Sequence, residues 1–237
     1  MLGCGGYAEE CIVRVAGSSK VPEGVSTLDA TAMNITFVTA WWGLELRGQV
    51  KSGERVLILA AAGGVGSAAV QLAKIRGCYV IAAARGERKL QACRELGADE
   101  VVDYGDDDLY ERVMELTDGN GVDVVYDPVG GDYFDIARRL VAREGRYLLI
   151  GFASGEIPTF KVNHALVKNY SLVGVFMGGY HGSHPAYQRC FDELYSLLTA
   201  GKFKPLIDYT VGFDDLGDAL KALSERKTIG RVMFQPD

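Results

Sequence analysis

Through the middle of the chain, short apolar runs alternate with stretches of helical spacing. Arg55–Ala60, Tyr79–Ala83, Glu100–Val102, Val122–Asp127, Gly145–Ile150 and Ser171–Phe176 read as strands. Between them lie helical segments at Val65–Arg76, Glu87–Leu96, Leu109–Leu116, Tyr133–Val141 and Asn163–Val167. In the first of these, Val65, Ala69, Leu72 and Ile75 share one face. Strands separated regularly by helices predict βαβ units, and six of them predict an α/β fold with a doubly wound parallel six-stranded sheet.

The flanks are different. Ahead of the sheet, Ala8–Val15 alternates like a strand and Pro22-Glu23-Gly24 marks a turn. Ser26 with Asp29 then resembles a capping box that opens a helix through Leu46. Behind the sheet, Pro185–Ala200 and Phe213–Ser224 predict helices, while Ile207–Val211 and Gly230–Phe234 predict strands. Asp106-Asp107-Asp108 reads as the first turn of a helix, where carboxylates complement the dipole.

Composition narrows the partners. A chain of 237 residues is one large domain, or one with a smaller companion. Lys+Arg 25 against Asp+Glu 31 leaves a formal charge of −6, which argues against nucleic acid and for a small molecule. The 30 glycines far exceed the usual ~7% and point to tight turns or close backbone approach to a ligand. Five scattered cysteines without a CxxC pair suggest neither a disulfide framework nor a zinc knuckle, so a reducing, cytoplasmic compartment is expected. The N-terminus lacks a basic, then apolar leader, and no apolar run approaches the ~18 residues of a membrane span.

The most informative stretch is Ala60-Ala61-Ala62-Gly63-Gly64-Val65-Gly66. It follows an apolar strand and opens an amphipathic helix, the context in which a GxGxxG-like turn binds a dinucleotide. Gly63 would let the backbone approach a pyrophosphate, Gly64 would relax the turn, and Gly66 would let the helix press on the strand. Free N–H groups of the first helical turn would then face the anion. About 20 residues on, an acid at the end of the second strand would hold a ribose hydroxyl. Here Val80–Ala84 ends without one, and Arg85, Arg88 and Lys89 supply the cations a 2′-phosphate needs. Two alternatives stand beside this: Arg88 and Lys89 as solvated helix residues, and Glu87 reaching a ribose.

These residues resemble the medium-chain dehydrogenase/reductases, and within them the zinc-independent NADPH:quinone oxidoreductases related to zeta-crystallin. The likeness runs in order through Gly5-Gly6-Tyr7-Ala8-Glu9, Thr39-Ala40-Trp41, the turn at Ala60–Gly66, Leu96-Gly97-Ala98-Asp99, Val125-Tyr126-Asp127-Pro128-Val129-Gly130-Gly131 and Gly151–Gly155. It implies a Rossmann domain at 37–180, the end of a GroES-like β domain at 1–36, and a return to that domain at 181–237. It implies NADPH held by Ala62, Gly63, Gly64, Val65 and Gly66, with Lys89 and Tyr104 on the 2′-phosphate beside Arg85. It also implies Arg226 as a cofactor contact, and Val129, Gly130, Phe152 and Ser154 bordering the nicotinamide. Thr39 and Asn34 are weaker candidates for the ring; packing in the core is the competing reading for both, and for Tyr104. In the family a long segment of the GroES-like domain precedes the GGYAE strand. This chain begins almost at that strand, so a truncated chain is expected.

Other chemistries fit less well. His164, His181 and His184 have no acid or cysteine at ligand spacing, so no metal is assigned. None of the twelve tyrosines has a lysine four residues on, which removes the Tyr-x-x-x-Lys dehydrogenases. GxSxG and GxxxxGK are absent. The expected activity is hydride transfer from NADPH to a quinone or similar conjugated carbonyl, impaired by the truncation, with no catalytic side chain assigned. The alternatives are an enoyl-thioester reductase and a non-catalytic NADPH-binding protein. A homodimer is expected through the uncharged edge strand near Ser171–Met177.

Overall fold

The computed structural model describes residues 5–13, 20–179 and 184–236. Ser26 caps α1 (Thr27–Trp41): its hydroxyl accepts from the Asp29 N–H at 3.0 Å and donates to the Asp29 carboxylate at 2.7 Å. Beyond Trp41 the helix widens into a π-helical turn, Trp42–Arg47, in which the Gly48 N–H donates to the Gly43 carbonyl at 2.7 Å. A side chain at Gly43 would sit 2.9 Å from the Tyr126 ring, so the widened turn and the missing Cβ together accommodate that ring.

Six strands follow: β1 (Arg55–Ile58), β2 (Tyr79–Ala84), β3 (Glu100–Asp103), β4 (Val122–Asp127), β5 (Val141–Leu149) and β6 (Ser171–Gly174). They pair in parallel in the order β3-β2-β1-β4-β5-β6, the expected doubly wound Rossmann sheet. The connecting helices are α2 (Gly64–Ile75), α3 (Glu87–Glu95), α4 (Leu109–Leu116), α5 (Asp132–Leu140) and α6 (Asn163–Lys168).

Both faces of the sheet are covered, and the alternation of side chains divides the core in two. Val56, Ile58, Ala82, Val124 and Tyr126 join the cluster that includes residues of α1, α2 and α7 (Pro185–Thr199). Leu57, Ile81, Ala83, Val125 and Tyr147 join the one that includes residues of α4 and α5. Val56, Leu57 and Ile58 are fully buried. At roughly 1.5–3 kcal/mol for each such side chain, β1 is a firm base for whatever follows it.

Three expectations need correction. Ala8–Val13 forms no strand: the Tyr7 ring meets Phe234 edge-on at 5.6 Å, and no described strand pairs with this stretch, while Arg14 and Val15 lie outside the described residues. β5 begins at Val141 rather than Gly145. Val141 pairs with Val122, then Arg146 with Val124, so Ala142–Gly145 bulge out of register and the exposed charges of Arg143 and Glu144 mask the strand. The acidic run does not form a helical turn. Asp108 is the cap of α4, accepting from the Tyr110 and Glu111 N–H groups, and the Asp107 carboxylate turns back to the Asp103 N–H.

The C-terminal segment adds β7 (Ile207–Val211), α8 (Leu216–Ser224) and β8 (Arg231–Phe234); β7 and β8 form a separate parallel pair. Its position is fixed from the Rossmann side. Gln71, nearly buried on α2, receives the Lys204 N–H and donates to the Lys204 carbonyl, both at 3.0 Å. Two hydrogen bonds of about 1 kcal/mol each make this a modest but directional tether. Farther along, the Gly230 N–H donates to the Ala62 carbonyl at 2.7 Å, laying the start of β8 against the turn after β1.

Candidate functional site

Strand order reverses between β1 and β4, and the crevice outside their carboxyl ends is where open α/β sheets hold ligands. Two loops border it here. The turn after β1 places Ala60 at φ +47°, a left-handed conformation that an alanine adopts only under constraint. The Gly63 N–H closes the turn on the Ala60 carbonyl at 2.9 Å, and no side chain caps α2. The N–H groups of Gly64, Val65 and Gly66 are thus the open donors of a first helical turn, as an anion site requires.

The three glycines have distinct tasks. A Cβ on Gly63 would meet only the Ala60 carbonyl, at 3.2 Å, so the space in front of it is open. A Cβ on Gly66 would stand 2.2 Å from the Ala60 oxygen and 2.8 Å from the Ala61 Cα, which is the close helix–strand approach expected of it. Gly64 corrects the sequence reading. Its φ is not among the positive ones, and a side chain would press on Arg231 at 3.0 Å and Thr36 at 3.2 Å. It makes room for neighbours rather than relaxing the turn.

The loop after β4 is held by Asp127, which is fully buried. One carboxylate oxygen accepts the Val129 and Gly130 N–H groups at 2.7 and 3.0 Å, and the other accepts the Tyr147 hydroxyl at 2.7 Å. Burial pushes its pKa up, with these three donors opposing. Gly130 and Gly131 have φ of +67° and +56°, and Phe152 lies against Gly130, 2.8 Å from where its Cβ would be.

Between these loops runs a cavity of about 390 Å³ that brings together Ala62, Gly63, Gly64, Lys89, Tyr104, Val129 and Arg226. It adjoins a second, of about 410 Å³, that shares Lys89, Tyr104, Tyr133 and Arg226 and adds the cations Arg85, Arg88 and Lys227 with the acids Glu87 and Glu225. Val65 and Gly66 follow in the same turn. Gly130 continues the Val129 loop, and Phe152 and Ser154 flank Ala153, the residue of the loop after β5 on the cavity wall. Thr39 is half-buried on α1 and Asn34 is exposed; neither lines either cavity.

The far end of the crevice is positive. Lys89 donates to the Arg226 carbonyl at 2.6 Å, and burial, then the charges of Arg226, Arg88 and Arg85, hold its ammonium below the usual value. Among the described residues no carboxylate comes within ion-pair distance of Lys89, Arg85 or Arg226. Arg88 differs, being paired to Asp208. Glu87, the reservation about a ribose contact, pairs with Arg94. Burial, then Tyr133, pushes the Tyr104 hydroxyl up to about 12.

Several lining residues escape sequence reasoning. Tyr133 packs on Tyr104 with ring centroids 4.7 Å apart, and Thr228 and Gly230 arrive from the C-terminal segment. The YDPVGG stretch, with an acid ending a strand, carried a signal for Asp127; a contact across 137 positions, as between Lys89 and Arg226, carries none. His184 caps α7, its Nδ1 accepting from the Ala186 N–H, and His181 lies outside the described residues. Among the described residues no three His, Cys, Asp or Glu side chains gather as a metal site, and no helix is long and apolar enough to cross a membrane.

Comparison with known proteins bears on this geometry. The family described as zinc-binding dehydrogenase matches residues 64–199. A quinone oxidoreductase-like protein 2 homolog of Nematostella vectensis is 38% identical over 97% of this chain and 64% of its own length. Quinone oxidoreductase-like protein 2 of Bos taurus is 36% identical over 98% and 67%. The crystal structure of Escherichia coli quinone oxidoreductase complexed with NADPH superimposes with a TM-score of 0.84 and 29% identity, covering 92% of this chain and 68% of that one. The chain thus spans about two-thirds of the length of the relatives it matches. With a switch-point crevice, a glycine turn at its base and likeness along nearly the whole sequence, the chain belongs to the medium-chain dehydrogenase/reductase family, on its zinc-independent quinone oxidoreductase branch.

Proposed function

We propose that the chain binds NADPH and delivers its hydride to a quinone or a similar conjugated carbonyl. The observation that carries this is the uncompensated cation cluster of Lys89, Arg226 and Arg85 at one end of a crevice whose other wall is the phosphate turn. A 2′-phosphate dianion relieves the mutual repulsion of that cluster, and NADH brings no such charge. The Escherichia coli quinone oxidoreductase, whose crystal structure holds NADPH, supports the reading.

The residues fit the group. N–H groups of Gly64, Val65 and Gly66 would hold the pyrophosphate, with the open face of Gly63 beside it. Tyr104 would flank the 2′-phosphate, and the Val129–Gly130 loop, fixed by Asp127, would orient the nicotinamide. When bound, NADPH supplies the hydride. The reduced acceptor oxygen takes its proton from water, so the protein's share is orientation and exclusion of solvent, and no side chain is assigned as acid. A homodimer through β6 belongs to the same reading: β6 is an edge of the sheet, and Phe176 beyond it is 77% exposed.

Titration of nicotinamide fluorescence with NADPH and NADH, beside NADPH oxidation with quinones and enones, tests the proposal. Tighter NADPH binding and quinone-dependent oxidation are expected. Equal affinities overturn the phosphate assignment. Binding without turnover identifies a non-catalytic binder, and turnover confined to enones moves the acceptor to that class.

A further inference from the structure

Five cations, Arg85, Arg88, Lys89, Arg226 and Lys227, surround the far end of the crevice, yet two of them are already engaged, Lys227 with Glu225 and Arg88 with Asp208. Arg88 pairs through Nη2 with the Asp208 carboxylate, which is only 8% exposed, and donates through Nη1 to the Lys227 carbonyl at 3.1 Å. The other oxygen of Asp208 accepts the Ile229 N–H at 3.1 Å. The next residue on α3, Lys89, donates to the Arg226 carbonyl. Gly230 closes the run on Ala62. Residues 226–230 therefore hang between α3, β7 and the phosphate turn, and Arg226 begins them at φ +58° in the left-handed turn that ends α8, where the Arg226 and Lys227 N–H groups donate to the Leu223 and Ala222 carbonyls.

We infer that residues 226–230 are a strap across the cofactor crevice, and that Arg88 and Asp208 are its anchor, acting as positioning residues and not as ligands of the cofactor phosphate. Arg226, Thr228 and Gly230 line the crevice together with Ala62 and Gly63; Gly230 is pinned to Ala62, so the shape of the crevice toward Arg226 follows the position of the strap. Of the two tethers on α3, that of Lys89 is given up when its ammonium turns to an anion. The Arg88–Asp208 tether then remains to hold the wall. This rests on the cofactor reading above for its binding arm alone.

Charge gives the test a sign. If Arg88 were a phosphate ligand restrained by Asp208, Asp208→Asn would remove a nearby negative charge, free the guanidinium and tighten NADPH. If the pair anchors a strap, Asp208→Asn and Arg88→Gln loosen the wall that both cofactors touch, and each weakens NADPH and NADH alike by about three- to tenfold. Arg88→Lys, which keeps a cation opposite Asp208, restores part of the loss. Independently of any ligand, trypsin should cut after the exposed Arg226 and Lys227 faster in both variants than in the parent at a temperature where all are folded. Tighter NADPH binding, a loss confined to NADPH, or unchanged cleavage overturns the inference. A parent chain that binds neither cofactor refutes the proposed function, and the trypsin rates still decide the strap.

Discussion

Gly63 and Gly66 stand three residues apart in one turn, yet a side chain should do opposite things at the two positions. At Gly66 a Cβ would lie 2.2 Å from the Ala60 oxygen, where ordinary contact begins at 3.4 Å. Both neighbours are backbone of the turn after β1, so α2 and that turn must separate by about 1 Å. Overpacking of this kind costs about 1–3 kcal/mol, and a backbone clash belongs at the upper end. At roughly 2–4 °C per kcal/mol for a chain of this size, Gly66→Ala should lower the melting temperature by about 6–12 °C. Gly63 has φ −79° and ψ 173°, which any residue adopts, and open space beyond its Cβ. Gly63→Val should therefore melt within a few degrees of the parent while losing affinity for NADPH and NADH by more than about 100-fold, because the side chain occupies the pyrophosphate position. Calorimetric melting and fluorescence titration of both variants supply the readings. A Gly66→Ala protein of unchanged stability refutes the packing argument, and a folded Gly63→Val protein that binds tightly refutes the ligand's placement.

Lys89→Ala should weaken NADPH several-fold more than NADH, since a half-buried charge-assisted hydrogen bond to the 2′-phosphate is worth about 1 kcal/mol and only the lost tether to the Arg226 carbonyl bears on NADH; loss of both cofactors equally sinks it. In the parent, the bound phosphate raises the depressed Lys89 pKa, so the preference for NADPH should be full at neutral pH and decline as pH rises through the bound-state value; a preference flat into the alkaline range contradicts this. The Tyr126 hydroxyl is fully buried and has no partner among the described residues, so Tyr126→Phe should stabilise the fold by about 1 kcal/mol, with a lower melting temperature as the refuting result. Phe176→Lys should shift a β6-edged dimer toward monomer in sedimentation; a parent that is already monomeric at micromolar concentration removes the dimer altogether.

What the sequence revealed follows from the range over which each constraint acts. The alternation of strand and helix, the Ser26 capping box and the packing role of Gly66 are written within a few adjacent residues, where periodicity and the size of a Cβ decide the outcome. The start of β5 escaped because its first residues bulge: Arg143 and Glu144 are charged and exposed, and only pairing with β4, about twenty residues earlier, makes them part of a strand. Asp106–Asp108 escaped because a cap and a helical turn ask for the same residue type, and the backbone chooses between them.

The same logic explains why a cation cluster read as one phosphate site divides into two functions. Arg85, Arg88 and Lys89 are equivalent on a sequence, all basic and all just past a strand end. What separates them is a carboxylate 120 positions away: Asp208 takes Arg88 out of the cluster, and leaves Lys89 facing Arg226 with no counter-ion. An unpaired, partly desolvated ammonium is unfavourable in isolation, and the fold tolerates it here because Asp127, the phosphate turn and the C-terminal segment already fix the walls of the crevice. The electrostatic imbalance is thus left for an anion to correct. For that reason the selectivity of this site for a phosphorylated cofactor should depend on Lys89, while its affinity for either cofactor depends on the segment that Arg88 holds in place.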